Sequence, residues 1–201
     1  MLLHIGDKHI SSWSLRPWIL LKMADIPFAE EVHAFLPDRT TQRRLWRAFS
    51  PTAQVPVLHD GELVIWDSLA ICLYLGERYP QLWPDDRAAR AWAYAASAEM
   101  HAGFTALRSQ CGFTVRPAAP ITAPDAALAA DLDRLNTLWT EGLGRFGGDY
   151  LAGGRFTVPD AFYVPVVLRL HHYGLAGRLA PAVRDYLAHI LALPALQAWC
   201  A

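Results

Sequence analysis

The sequence predicts an α/β domain followed by an all-α domain. Through residue 79, short apolar runs of strand length alternate with stretches of helical period. After "PQLWPDD" at 80–86, which is rich in proline and aspartate, no strand pattern returns. The remaining segments are long, alanine-rich and helical.

Each element has its own signal. Residues 2–6, "LLHIG", are apolar enough for a buried strand. "SLRPWILLKMA" at 14–24 has a helical pattern with Pro17 in its first turn, where a missing N–H costs little. "PFAEEVHAF" at 27–35 alternates as a strand does, and "TTQRRLWRAF" at 40–49 reads as a short polar-faced helix. "VPVLHDGELVIW" at 55–66 holds two strands joined at Asp60-Gly61, a strong hairpin signal. Residues 67–79 close this half as a helix, giving the order β-α-β-α-β-β-α. The second half is expected as helices over 87–111, 125–146, 158–173 and 181–192, with a proline-bearing loop over 112–124. Thr157 and Asp160 have the spacing of a capping box before the third of these. The division is therefore 1–79, a linker over 80–86, and 87–201.

Composition narrows the function classes. The 201 residues are 53% apolar, which fits a packed core rather than a disordered chain. Eighteen basic and 19 acidic residues leave a net charge of −1, so no basic surplus points to nucleic acid or an anionic membrane. No apolar run approaches the roughly 18 residues of a membrane span, and the charged residues close to the N-terminus do not fit a signal peptide. Cys72, Cys111 and Cys200 form neither a disulfide framework nor a zinc spacing, and adjacent His171 and His172 point about 100° apart on a helix. No metal is expected, and the setting is expected to be reducing and cytoplasmic.

Three motifs carry possible chemistry. In "ISSWSLRPW" at 10–18, Ser11, Ser12 and Ser14 crowd a strand-to-helix turn. They are either helix caps or hydroxyls aimed at a substrate. A hydroxyl beside a helix N-terminus favours a thiolate; lowering a thiol pKa of about 8.5 by about two units takes roughly 2.7 kcal/mol. Pro56 interrupts a strand pattern. It is either an ordinary edge proline or the second residue of a cis bond that frees the Val55 backbone to pair with an extended peptide. Asp67 and Ser68 precede a helix, either only capping it or also holding a carboxylate and an ammonium.

In their order, these elements resemble the cytosolic glutathione S-transferases over nearly the whole chain. "SSWSLRPWILL" is most similar to the serine-type, zeta-like (maleylacetoacetate isomerase-like) branch. The resemblance implies a thioredoxin-like domain joined to a helical domain, glutathione as co-substrate, a small electrophile, conjugation of the detoxification type and a homodimer. It implies that Ser11, with Ser12 as second choice, faces the glutathione thiol. Val55 and Pro56 would hold the cysteinyl part, Asp67 and Ser68 the γ-glutamyl end, Gln54 the site wall, and Gln42 or Arg43 the glycyl end. Trp13 stands where the branch has cysteine, and His172, with Arg169 three residues earlier, where it has a late arginine. These departures bear on the isomerase activity, which is the alternative to conjugation, beside a non-catalytic ligand-binding role. Trp13, Met100, His101 and Phe104 either wall an electrophile pocket or belong to the core.

Overall fold

The computed structural model describes residues 1–201. A four-stranded sheet has the order β2-β1-β3-β4, formed by β1 (Leu2–Gly6), β2 (Ala29–His33), β3 (Val57–Asp60) and β4 (Leu63–Trp66). Strand β1 pairs parallel with β2 and antiparallel with β3, and β3 pairs antiparallel with β4. The parallel pair requires a crossover, which α1 (Ser12–Met23) supplies. Helices α2 (Arg39–Trp46) and α3 (Ser68–Arg78) complete this half.

The predicted order holds, with shifted edges. Helix α1 begins two residues earlier than expected, so Pro17 lies in its second turn and leaves the Trp13 carbonyl without its helical donor. Strand β2 is shorter than 27–35, and α2 stops at Trp46 because residues 47–49 turn away. The hairpin turn is Gly61-Glu62 rather than Asp60-Gly61; Asp60 still pairs with Leu63, and Gly61 takes φ +62°.

The second half departs further. The expected helix 87–111 is two helices, α4 (Arg87–Ala102) and α5 (Thr105–Gln110), because Phe104 adopts a left-handed φ of 53°. A Cβ on Gly103 would lie 2.8 Å from the Glu99 carbonyl oxygen, so this bend needs glycine. Helices α6 (Ala126–Phe146), α7 (Val158–His172) and α8 (Pro181–Leu191) match expectation. An unforeseen α9 (Pro194–Cys200) ends the chain. Its Trp199 indole donates to the Lys8 carbonyl at 2.9 Å and packs edge-on against Trp18.

Helix α1 is buried from Ser14 through Leu21 because it lies between the sheet and α7. An apolar residue on any side of such a helix finds a partner, which explains its weak amphipathicity. A single cluster of 47 buried residues runs through both halves. Arg155 ties the connecting segment down, donating to the Gln81 and Trp83 carbonyls at 3.1 and 3.0 Å and to Asp85 at 2.7 Å.

Asp160 anchors the start of α7. Its buried carboxylate accepts from the Leu151 and Thr157 N–H groups, both at 2.9 Å, and from the Tyr186 hydroxyl at 3.1 Å. Burial pushes its carboxyl up to about 6 against these hydrogen bonds. Asp160→Ala leaves several buried donors without an acceptor and should cost about 3 kcal/mol or more. Asp160→Asn, which keeps an acceptor, should cost less; urea denaturation of both variants at pH 7.5 checks the ranking.

Candidate functional site

A cleft of about 590 Å³ opens along the C-terminal end of β1. Four segments wall it, with Phe35 beside them: the entry to α1 with Ile10, Ser11 and Trp13; α2 with Arg39, Gln42, Arg43 and Trp46; the loop Thr52 to Pro56; and the β4–α3 junction with Trp66, Asp67 and Ser68.

The serine turn is built by hydrogen bonds, not by capping. Ser11 is the N-cap residue of α1, yet its side chain caps nothing. Its hydroxyl donates to Ser14 Oγ at 2.7 Å, and Ser14 Oγ also accepts from the Gly6 N–H at 3.0 Å. Ser14 therefore joins the end of β1 to the start of α1 and orients Ser11. Ser12 does not line the cleft. Gly6 has no room for a side chain, since a Cβ there would approach the Phe35 ring to 2.7 Å and Ser11 Oγ to 3.1 Å.

Across from Ser11, the Val55–Pro56 bond is cis. Neither the Val55 N–H nor its C=O takes part in a hydrogen bond within the chain. Buried Ser50 fixes the loop, donating to the Gln54 carbonyl at 2.7 Å and accepting its N–H at 3.1 Å. Ala53 and Asp67, both on the cleft wall, hold left-handed backbones with φ of 54° and 74°. Such conformations cluster where backbone geometry serves a site.

Asp67 does cap α3: Oδ1 accepts from the Leu69 and Ala70 N–H groups at 2.8 and 3.2 Å. Its Oδ2 lies 3.4 Å from His101 Nε2. Ser68 is fully buried and accepts from Arg16 Nη1 at 3.3 Å. At the other end of the cleft, Gln42 Oε1 accepts the Leu36 N–H at 2.9 Å, which leaves its NH₂ group to face a ligand. Arg39 and Arg43 bring positive charge to that end. The cleft can thus grip an extended chain by its backbone, with an acid and a helix N-terminus at one end and guanidinium groups at the other.

The expected electrophile wall is corrected in part. Met100 is buried in the core, and Phe104 packs edge-on against Tyr163 at the α4–α5 bend; neither lines the cleft. His101 stands at its border, edge-on to Trp13 with ring centroids 5.2 Å apart. Trp13 itself lines the cleft, stacked under the Arg16 guanidinium at 4.2 Å. Arg16, two residues after Ser14 in the serine motif, is a buried cation. Burial lowers it to about 9, with Arg108 and Arg169 adding repulsion, and Trp13 and Phe162 supply cation–π contacts. Arg39, Thr52 and Phe35 also line the cleft without having carried a motif. The Cys72 thiol is fully buried and pushed up by burial, so it is not poised to react.

Residues 10–78 match the family model for the glutathione S-transferase N-terminal domain. The dichloromethane dehalogenase of Methylorubrum extorquens is 42% identical over 55 residues, 27% of this chain and 19% of that protein, so the chain spans about a fifth of that relative. The probable maleylacetoacetate isomerase of Vibrio cholerae is 29% identical over 156 residues, covering 73% of this chain and 70% of that protein. A glutathione transferase homolog from Burkholderia gl BGR1, solved with bound glutathione, superposes with a TM-score of 0.71 at 21% identity; the match covers 98% of this chain and 95% of that one.

His101 gives this region a pH dependence. Burial lowers its imidazole below 6.5, and Asp67 only partly restores it. The unfolded chain then takes up the proton first, so stability is full above 6.5 and declines as the pH falls through the lowered value. His101→Gln should flatten that decline in part, since burial also lowers His4, His33 and His172. NMR titration of the His101 ring and urea denaturation between pH 5 and 8 check both statements.

Proposed function

Since this chain belongs to the glutathione S-transferase superfamily through its N-terminal domain, we propose that it joins the glutathione thiolate to a small electrophile. One observation supports this most: the Ser11 hydroxyl, the unengaged Val55 backbone and the Asp67-Ser68 helix start share one cleft. In this reading glutathione lies as an extra strand against Val55. The γ-glutamyl carboxylate meets the Ser68 hydroxyl and the N-terminus of α3, and its ammonium meets Asp67. The glycyl carboxylate is held by the Gln42 amide with Arg43 or Arg39, and Gln54 lines the wall.

The serine pair supplies the activation. Ser11 turns its O–H from Ser14 to the sulfur, and Ser14, held by the Gly6 N–H, then donates its own hydrogen to Ser11 Oγ. The thiolate sulfur attacks the electrophilic carbon. An S–C bond forms, and the leaving group departs with the bonding electrons. Trp13 and His101 are the polarised wall that the acceptor meets.

A second reading, glutathione-dependent cis–trans isomerisation, is favoured by the likeness to a probable maleylacetoacetate isomerase over 73% of this chain. There the thiolate adds and leaves again, and no glutathione is consumed. Glutathione titration during turnover of a maleyl-type diacid separates the two. The proposal also takes residues 1–79 as the glutathione-binding part, 80–86 as linker and 87–201 as the helical part. It includes a cytoplasmic setting and a homodimer. Exposed Leu63, Trp66, Leu73 and Tyr94 are apolar surface that a second copy would cover. No helix is long and apolar enough to cross a membrane.

Ser11→Ala should lower kcat/KM about a hundredfold, as loss of one donor to a developing anion does. It should raise the pKa of bound glutathione, read from the thiolate absorbance, while glutathione affinity changes only a few-fold. Ser14→Ala should give a smaller effect of the same sign. Unchanged rate and thiol pKa in Ser11→Ala would remove Ser11 from this role.

A further inference from the structure

On the face of the sheet covered by α2, the register of β1 and β2 brings together three side chains that share no motif. His4 pairs with Glu31 across the two strands, and His33 follows two residues later on the same face. His4 Nδ1 lies 3.0 Å from His33 Nε2. The Glu31 carboxylate oxygens lie 3.6 Å from His4 Nδ1 and 3.7 Å from His33 Nε2. We propose that His4, Glu31 and His33 form a binding site for one divalent transition-metal ion of the zinc, cobalt or nickel type.

The spacing fits. Donors bound tetrahedrally at 2.0–2.1 Å stand about 3.3 Å from one another, so small ring movements seat an ion among the three. The donors fit as well. Two imidazoles and one carboxylate select a borderline ion, whereas calcium and magnesium want many more oxygens. The rings are already oriented. His33 and His4 both stack on Phe49, with centroids 4.0 and 4.6 Å away. Phe49 is in turn fixed by His59, whose Nε2 donates to the Phe49 carbonyl at 2.8 Å. The His4 side chain is 6% exposed and the Glu31 side chain 55%, so the site has a rigid inner ligand and an open outer one. Water can fill the remaining position.

Binding requires one tautomer shift: the N–H bond at one facing nitrogen breaks, and an N–H bond forms at the other nitrogen of the same ring. Both facing nitrogens are then electron-pair donors. The ion then bridges the central strand β1 to the edge strand β2 and should stabilise the sheet by linkage. None of the three ligands lines the cleft, and Co²⁺ uptake is read without glutathione, so the outcome of the test is distinguishable from that of the proposed transferase activity.

The test is direct titration of the full-length, chelator-treated protein with Co²⁺, followed by Zn²⁺ competition. The proposal expects one Co²⁺ per chain, a visible band of four- or five-coordinate cobalt, and a higher melting temperature with Zn²⁺. Glu31→Gln, at an exposed position, should leave the metal-free melting temperature unchanged and weaken Co²⁺ binding about tenfold or more. His33→Ala should abolish the band, and His171→Ala should leave it intact. Substoichiometric uptake, only a weak six-coordinate spectrum, or full binding in both Glu31→Gln and His33→Ala would overturn it.

Discussion

The position of helix α1 decides most of what this molecule can do. It is held between the sheet and α7, and its side chains from Ser14 through Leu21 are buried. A helix confined on both sides has little freedom to rotate or slide, because each buried side chain fills a matched gap. Its first turn therefore presents Ser11 and Trp13 to the cleft from a fixed origin. The two halves do not pack as separate cores, since one buried cluster runs through both.

From that origin the polar groups are ordered by few but well-placed bonds. Gly6 N–H, Ser14 Oγ and Ser11 Oγ form a chain from the end of β1 into the cleft. Arg16 leaves the same helix and reaches Ser68 at the start of α3, so the serine turn and the Asp67-Ser68 corner are coupled through one guanidinium. A buried cation of this kind costs desolvation energy, and its lowered pKa of about 9 records that cost. The rings of Trp13 and Phe162 offset part of it, and in doing so the cation keeps Trp13 upright against the cleft.

The sequence was informative where chemistry is local. Short apolar strands, the proline at 56, the Asp-Ser pair before a helix and the Thr157–Asp160 box are signals confined to a few residues, and each element they imply is present. It was less informative where tertiary contacts decide. Gly103 and Phe104 lie in an alanine-rich helical pattern that conceals the left-handed bend between α4 and α5. Pro194 at the first position of α9 was a usable sign that periodicity over seven residues was too short to support. Met100 and Phe104 have the helical spacing of a pocket wall and of a core alike; only packing separates these, and it buries both. Ser14 and Arg16 lie inside the serine motif, but their partners, like those of the His4–His33 pair, are 8 to 52 residues away, and a local motif does not encode such distances.

The cleft's two ends are built to different tolerances. The Ser11 end rests on buried α1, on the central strand and on a loop fixed by Ser50. The Arg39 and Arg43 end rests on α2, where only Gln42 and Trp46 are buried and the rest of the helix faces outward. A short helix with so small an anchored face gains little from its own propensity. Its place depends on Trp46 against Phe35 and on the layer of His33, His4 and Phe49 beneath it. Grip on a ligand's far carboxylate and the hold on edge strand β2 thus draw on the same aromatic layer. The geometry of the reacting sulfur depends instead on α1. Changes on the β2–α2 side should therefore alter affinity before they alter chemistry, because the two ends share a ligand but not a support.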